Sequence, residues 1–336
     1  EHRFGEVAFL LEPDLKEGRG GLRDVHALAW AGVAEPVLLD GDGRALEDAE
    51  TALVETRVAL HRQTGRPGDR LLLQDQDAVA AALGYADADA LMAAVSDAAR
   101  TIAWIADETW DRVTTRLDRE EAVDLGPVGP GLAIHDGHLH LTGEADPAGD
   151  PALLLRAAAT AAHHRVRIDR VALDRLAVDT PPLPDPWPDA ARDALVELLL
   201  TGQPALDVLE ALDRRDLVTR VLPEWAPNRS RPQRNAYHRF TVDRHLFEAA
   251  AEAAALAESV DRPDLLVLGA LLHDIGKGYP GDHSVVGVDL VRRISARMGY
   301  GDDDIDVLTA LVRHHLLLPD TASRRDLQDE GTVRFV

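Results

Sequence analysis

The spacing of apolar residues predicts a chain that is built mainly from α-helices. Over long stretches, apolar side chains recur every three to four positions with few glycines or prolines between them, as an amphipathic helix requires. Between residues 86 and 117, for example, Leu91, Val95, Ile102 and Ile105 follow this spacing. Further helices are predicted to begin at Pro204, at Thr241 with Thr241 as N-cap, and near Arg324-Arg325-Asp326. The apolar pattern predicts the remaining helices at 22–33, 45–64, 75–84, 86–117, 151–164, 189–200, 265–272, 285–298 and 304–316.

Strands are predicted in two short places. Residues Val7 to Leu11 form an apolar run closed by Glu12-Pro13-Asp14, which predicts a short strand. Residues 132–141 alternate between apolar and polar around Asp136-Gly137, a dipeptide typical of tight hairpin turns. We therefore expect a mainly α fold of helical bundle domains with a small β-hairpin or strand component.

The composition limits the architecture and the partners. With 336 residues, of which 46% are apolar and 4% aromatic, the chain can form two or three domains with cores of alanine, leucine and valine. It has no apolar run of about 18 residues, no signal peptide and no cysteine for disulfides or thiolate metal sites, which favours a cytoplasmic protein without membrane contact. The net charge of −23 opposes binding to nucleic acid.

Two segments are predicted to connect helical regions. Thr180 to Pro188 contains five prolines, which predicts a stiff, extended linker. The polar, arginine-rich stretch Asn228 to Asn235 is the expected hinge into the last domain. Because the chain begins at Glu1 without a methionine and stops at Val336 just after a helical stretch, we also expect it to be a piece of a longer protein.

The strongest chemical signal is the segment Leu271 to Gly278, in which His273 and Asp274 are adjacent at the end of an apolar run. Burying an imidazole and a carboxylate together is costly unless a partner compensates them, and a divalent metal is the natural partner. Lys277 follows one helical turn later and can offset charge that develops on a phosphoryl group. This combination predicts metal-assisted hydrolysis of a phosphate ester.

Further histidines and carboxylates lie near the ends of neighbouring predicted helices. Any one of these histidines alone is most simply a packed or surface residue. Taken together they predict one metal centre, because helical bundles build metal sites from inward side chains on facing helices. Nitrogen and oxygen ligands suit Mg, Mn, Fe or Zn and do not select among them. The candidate ligands are His245, His273, Asp274, His283, His314 or His315, and Asp326.

Two weaker motifs allow more than one interpretation. His135, His138 and His140 invite a metal interpretation, but strand alternation puts His138 and His140 on one face, so an exposed polar edge explains them more simply. The turn at 18–21 is rich in glycine and opens onto a predicted helix, where it can cradle a phosphate. Such turns more often just change the direction of the chain.

The candidate ligands resemble those of the HD phosphohydrolase superfamily, which are a histidine, an adjacent His-Asp pair and a later aspartate. The resemblance implies one or two divalent metal ions held in an all-α domain. It places the four defining ligands at His245, His273, Asp274 and Asp326. His283 and one of His314 and His315 are similar to the extra ligands of two-metal members.

Wider motifs resemble the family of bifunctional PII uridylyltransferase/uridylyl-removing enzymes, from about residue 10 to the last residue. In the C-terminal half these motifs are 237–245, 273–278, 282–284, 312–316 and 324–326, and the segment 222–225 also fits. Near the N-terminus, residues 12–16 and 20–24 are similar to the end of that family's nucleotidyltransferase domain. The residues of this remnant are Glu12, Asp14, Lys16, Arg23 and Asp24.

The resemblance implies three parts. These are the tail of a nucleotidyltransferase domain at 1–24, a helical middle domain at 25–227 that holds the hairpin, and a truncated HD domain at 236–336. The Gly-Ser and Asp-x-Asp motifs that catalyse nucleotidyl transfer are not found and are expected upstream of Glu1, and the C-terminal ACT sensing domains are missing. Transferase activity is therefore not expected from this chain.

The implied reaction removes a nucleotidyl group, UMP or AMP, from a tyrosine of the PII nitrogen-signalling protein. Asp274 would anchor the metals and Lys277 would counter the charge of the phosphoryl group, while His238, Arg324 and Arg325 are candidates for contacting phosphate or substrate. Two alternatives stay open: a catalytically silent module that binds PII or a nucleotide, and an HD hydrolase that acts on a small signalling nucleotide. The oligomeric state is not predicted.

Overall fold

The computed structural model describes residues 4–34, 41–117, 123–234, 239–326 and 328–335, and most of them are helical. The chain divides into two compact units. The first unit comprises Glu1–Asp124 and Arg229–His245, and the second comprises Leu125–Asn228 and Leu246–Val336. These units are defined by contacts within the structure. The three domains predicted above are defined by resemblance to a protein family, and their boundaries stay a prediction.

Four helices dominate the first unit, and all four were predicted from apolar spacing. Residues of this core that are fully shielded from solvent include Leu28, Leu53, Leu91 and Ile102. Among the described residues no single helix is long and apolar enough to span a membrane. Residues 73–83 and 88–114 have the length and composition of a membrane span only when they are taken together, and the pair is bent by 89°. The helices are α1 (Leu22–Ala34), α2 (Gly43–Thr64), α3 (Leu73–Leu83) and α4 (Ala88–Leu117).

The predicted strand at Val7 to Leu11 is wrong. This segment forms turns, in which the Phe9 and Leu10 amides both donate to the Glu6 carbonyl, with only isolated bridges to other segments. Val7, Ala8 and Phe9 are all buried, so consecutive side chains face the core instead of alternating. A short apolar run does not distinguish a buried turn from a strand by its pattern alone.

The glycine-rich turn at 18–21 packs closely against α4. Gly20 has a φ of +79°, and a Cβ at this position would lie 2.4 Å from the Ala99 carbonyl oxygen. The Gly20 amide donates to Asp24 Oδ2 at 2.6 Å and the Gly21 amide donates to the Gly18 carbonyl. Because both amides already donate hydrogen bonds to neighbouring protein groups, the geometry favours a change of chain direction over a phosphate-binding turn.

The second unit begins with a small four-stranded sheet. The first three strands are antiparallel neighbours and the fourth pairs in parallel with the third. The predicted hairpin is confirmed, with Asp136 and Gly137 at φ values of 49° and 76° in its two-residue turn. The strands are β1 (Gly126–Gly129), β2 (Leu132–His135), β3 (His138–Leu141) and β4 (Arg167–Ile168).

Helices supply the rest of the second unit, and α10 enters it at Leu246. The sequence predicted most of them but not α6, α9 and α14, which have ten residues or fewer. The last helix was predicted near Arg324-Arg325-Asp326, but α14 ends there and α15 begins only at Glu330. Short 3-10 turns occupy Pro223–Asn228, Ala257–Ser259 and Ile275–Gly278. The helices are α5 (Leu153–His164), α6 (Arg170–Asp179), α7 (Asp189–Leu200), α8 (Gln203–Asp213), α9 (Leu217–Val221), α10 (Val242–Ala254), α11 (Pro263–Leu272), α12 (His283–Arg297), α13 (Asp302–His314), α14 (Leu317–Arg324) and α15 (Glu330–Phe335).

Thr241 directly precedes α10, as predicted, but its side chain does not cap the helix. Its hydroxyl is buried and has no hydrogen-bond partner among the described residues. The start of α10 is instead fixed through backbone amides, since Thr241 donates to the Phe9 carbonyl and Val242 donates to the Arg231 carbonyl. Chain contacts can satisfy a helix start in place of a capping side chain.

The turn Ile275–Gly278 is pressed against the start of α12. A Cβ at Gly276 would lie 2.1 Å from the His283 carbonyl oxygen and 2.8 Å from the Gly287 amide nitrogen. Only glycine permits this approach. The contact keeps the His273-Asp274 pair beside the first turn of α12.

Substituting Gly276 by alanine is expected to lower the free energy of unfolding by about 1–3 kcal/mol, the usual range for overpacking. Backbone atoms block the added methyl group, so it cannot be accommodated by rotating a side chain. Urea unfolding of Gly276→Ala beside Gly301→Ala measures this effect, because nothing lies within 4 Å of the Cβ position at Gly301. Equal losses in the two variants would contradict close packing as the cause.

Candidate metal centre

Three imidazoles surround one buried carboxylate in the second unit. Asp274 is only 2% exposed. The Nε2 atoms of His273, His283 and His315 lie 3.3, 3.6 and 3.3 Å from its carboxylate oxygens. His273 directly follows α11, His283 is the first residue of α12, and His315 directly follows α13. Three helix ends therefore converge on a single negative charge.

Two of the imidazoles are oriented by the helices that they terminate. His273 Nδ1 lies 2.7 Å from the Ala270 carbonyl oxygen, and His315 Nδ1 lies 2.6 Å from the Val312 carbonyl oxygen. A carbonyl can only accept, so each Nδ1 carries a proton and each ring turns its Nε2 towards Asp274. Metal-binding histidines are typically held by such a bond from the other ring nitrogen.

The donor set fits a divalent cation. The Nε2 atoms of His283 and His315 are buried and have no hydrogen-bond partner among the described residues. Asp274, His283 and His315 offer ligand atoms that all lie within 4.8 Å of one another. Buried imidazole lone pairs that face a carboxylate are the arrangement that a bound cation would satisfy. Nitrogen and oxygen donors do not fix which metal it is.

The surroundings of the centre shift the pKa values of His283 and His315 in opposite directions. Lys277 Nζ lies 2.6 Å from Asp274 Oδ2 and so balances the buried carboxylate. Burial lowers the pKa of His283, which keeps that ring neutral and able to bind a metal. Burial acts in the same direction on His315, but the Asp274 carboxylate and the Val312 carbonyl outweigh it and raise the pKa of His315.

The segment Pro223–Asn228 is hydrogen-bonded to the turn that follows Asp274. Asn228 Nδ2 donates to the Ile275 carbonyl at 2.9 Å, next to Asp274. Arg297 donates to both carboxylate oxygens of Glu224, at 2.8 and 2.7 Å. Burial raises the pKa of Glu224, but Arg297 outweighs this effect and holds it below its ordinary value. The sequence showed this segment as a family motif and gave no sign of its supporting role.

Other predicted site residues lie outside this cluster. His314 is exposed, unlike its neighbour His315. Asp326 is exposed and its Oδ1 accepts from the Gln328 amide at 2.9 Å, so among the described residues the structure does not bring it to Asp274. Arg324 and Arg325 are exposed at the end of α14. His238 lies outside the described residues.

His245 lies in the first turn of α10 and is partly buried. It is the last residue of the first unit, and the helix continues into the second unit at Leu246. Its role as a metal ligand stays a prediction.

The hairpin histidines form no comparable cluster within the described residues. His138 Nδ1 contacts the Asp136 carbonyl at 2.8 Å and His140 Nε2 contacts the His135 carbonyl at 3.3 Å, both at the surface. These contacts stabilise the turn locally. They support the interpretation of this edge as exposed and polar.

The residues of the transferase remnant make structural contacts in the first unit. Glu12 Oε1 accepts from the Leu73 amide, and Asp14 Oδ1 accepts from the Lys16 and Glu17 amides. Arg23 pairs with Glu17, and Asp24 accepts from Gly20 as described above. Together these bonds fix the turns before α1 and the start of α3.

Comparison with known protein families identifies a match at each end of the chain. Residues 1–110 match the GlnD PII-uridylyltransferase family model and residues 242–333 match the HD domain model. The curated relatives include bifunctional uridylyltransferase/uridylyl-removing enzymes of Streptomyces coelicolor (50% identical), Mycobacterium tuberculosis (44%) and Corynebacterium glutamicum (34%). The alignments cover 98–99% of this chain but only 42–48% of these relatives. The resemblance inferred from the motifs is confirmed.

Replacing His315 by alanine is expected to weaken Mn²⁺ binding by more than the roughly 10–100-fold that loss of an outer partner costs. The variant loses an oriented lone pair at Asp274. Isothermal titration of the metal-free protein with Mn²⁺ measures the change. His314→Ala is the matched control, and an equal loss in both variants would contradict the assignment of His315.

Proposed function

Because this chain is related over nearly its whole length to bifunctional uridylyltransferase/uridylyl-removing enzymes, we propose that it is a metal-dependent hydrolase that removes a nucleotidyl group from PII. The observation that carries the proposal is the convergence of three imidazole Nε2 atoms on the buried Asp274 carboxylate. This cluster lies within the residues that match the HD domain. Transferase activity is not part of the proposal.

The proposed metal ligands are Asp274, His273, His283 and His315, with His245 and Asp326 added by the family resemblance. A divalent cation in this place lowers the pKa of a water molecule and polarises a phosphoryl oxygen. Asp274 supplies the anionic ligand, and its burial strengthens its attraction for a cation. The Nδ1–H bonds of His273 and His315 to backbone carbonyls hold both rings in place for binding.

Lys277 is the proposed electrostatic partner of the substrate. Its ammonium group is held at Asp274 Oδ2 and is partly buried. In such a position a cation can stabilise negative charge that grows on the phosphoryl oxygens. The exposed Arg324 and Arg325 are proposed as weaker contacts for phosphate or for the protein substrate, while His238 stays a candidate from the resemblance alone.

The proposed substrate is a tyrosine of PII that carries UMP, with AMP as the alternative group. The names of the relatives specify uridylyl removal, which favours UMP. The tyrosine linkage and the PII partner come from the family resemblance. A phosphodiester to a protein side chain requires water activation and charge stabilisation, and the cluster offers groups for both.

Incubation of the 336-residue chain with PII carrying UMP or AMP, and separately with free signalling nucleotides, tests the proposal. Release of UMP or AMP that requires Mn²⁺, is lost with a chelator and is abolished by His273→Ala is the expected result. Bis-p-nitrophenyl phosphate serves as a substrate that does not depend on PII recognition. Cleavage of free nucleotides alone would identify a small-molecule hydrolase, and Mn²⁺ or PII binding without any cleavage would identify a silent binding module.

Replacing Lys277 by methionine is expected to lower kcat for nucleotide release by about 100- to 1,000-fold, since a preorganised charge is lost. Mn²⁺ affinity is not expected to fall, because the ammonium group competes with a metal for the same carboxylate. Steady-state kinetics and Mn²⁺ titration measure the two effects. Arg292→Met, which removes an exposed cation from α12, is the control. Loss of metal affinity in Lys277→Met would count against this role.

A further inference from the structure

Lys277 lies in a turn that is bonded to a neighbouring segment on both sides of it. Asn228 Nδ2 donates to the Ile275 carbonyl at 2.9 Å, two residues before Lys277. The Tyr279 hydroxyl donates to the Glu224 carbonyl at 3.2 Å, two residues after Lys277. All five residues belong to the second compact unit. The segment that carries Glu224 and Asn228 therefore fixes the chain around the charge that is proposed to face the substrate.

The turn also packs closely against this segment. A Cβ at Gly278 would lie 2.9 Å from both the Pro227 carbonyl carbon and Asn228 Oδ1. An added methyl group at this distance from backbone would force the two chain segments apart, so the contact requires glycine. The backbone of Lys277, the preceding residue, is therefore held at a fixed distance from the segment.

The segment is itself firmly anchored in the second unit. Arg297, the last residue of α12, donates to both carboxylate oxygens of Glu224. Trp225 is fully buried, and its ring stacks on the Phe247 ring with 4.6 Å between the centroids. A two-bond ion pair and a stacked ring each impose one orientation on the groups that form them. The segment can therefore serve as a fixed support for the turn.

The buried Asn228 amide contributes position more than stability. Its Nδ2 must face the Ile275 carbonyl, because Oδ1 has no proton to donate. Oδ1 is then left buried without a hydrogen-bond partner among the described residues. An unpaired buried acceptor costs free energy that an apolar side chain of similar size would not cost. The arrangement therefore favours a role in which the direction of the Asn228 bond matters.

We propose that Asn228 is a positioning residue that acts through Lys277. It fixes the turn so that the Lys277 ammonium group stays beside Asp274 Oδ2, from which it lies 2.6 Å away. The proposal rests on the proposed function, because it takes Lys277 as the charge that stabilises the phosphoryl group. Asn228 has no part in metal binding, so its loss is expected to lower turnover and to leave Mn²⁺ affinity unchanged.

Asn228→Leu removes the donor at nearly constant size. Its kcat for hydrolysis of bis-p-nitrophenyl phosphate at saturating Mn²⁺ is expected to fall about 10- to 100-fold, as when an outer partner is lost. Gln233→Leu is the matched control, since Gln233 is another buried amide that donates to a backbone carbonyl, that of Phe240 in the first unit. Both variants lose one buried bond, so thermal unfolding is expected to shift alike in both, whereas only Asn228→Leu loses kcat.

A double-mutant cycle with Lys277→Met measures whether Asn228 acts through Lys277. In the Lys277→Met background, Asn228→Leu is expected to cause no further fall in kcat. A purely structural role would give the same fall in both backgrounds. That result, wild-type kcat in Asn228→Leu, or a loss of Mn²⁺ affinity in Asn228→Leu would each overturn the proposal.

If Asn228→Leu does not fold, Tyr279→Phe removes the bond on the other side of Lys277, and the same cycle applies. Unchanged kcat in Tyr279→Phe would then overturn the proposal. Each of these failures would leave the proposed function intact, provided that the wild-type chain hydrolyses the substrate and His273→Ala does not. Absence of hydrolysis by the wild-type chain would refute both.

Discussion

Burial of the Asp274 carboxylate is the constraint on which the metal centre depends. An ionised carboxylate that is 2% exposed must be compensated by nearby positive charge or by hydrogen-bond donors. Lys277 supplies one charge, and three imidazole rings approach from the ends of three helices. The buried Nε2 atoms of His283 and His315 have no hydrogen-bond partner among the described residues, so this arrangement favours a further cation between the carboxylate and the rings.

The fold positions these groups with ordinary features of helix ends. The last carbonyls of a helix lack intrahelical partners, and in α11 and α13 they hold the Nδ1 atoms of His273 and His315. The close approach at Gly276 sets the carboxylate beside the start of α12, where His283 lies. Binding geometry thus comes from rigid elements, which locate ligands more accurately than loops do.

Apolar periodicity predicted the long helices and the hairpin, because a buried helical face or a tight turn imposes a regular local pattern. It could not decide between His314 and His315, since neighbours on a helix differ by about 100° and only packing shows which faces inward. The bond between Glu224 and Arg297 joins residues far apart in sequence and left no local signal. The strand assigned to Val7 to Leu11 failed because a buried turn and a buried strand can have the same apolar run.

The most direct test is a crystal structure of the chain soaked in Zn²⁺ or Mn²⁺, with anomalous scattering recorded at the metal edge. The expected result is a strong peak about 2.0–2.3 Å from Asp274 and from the Nε2 atoms of His283 and His315. A protein that releases UMP or AMP from PII but shows no peak there, or binds metal only at the hairpin histidines, would contradict the central claim.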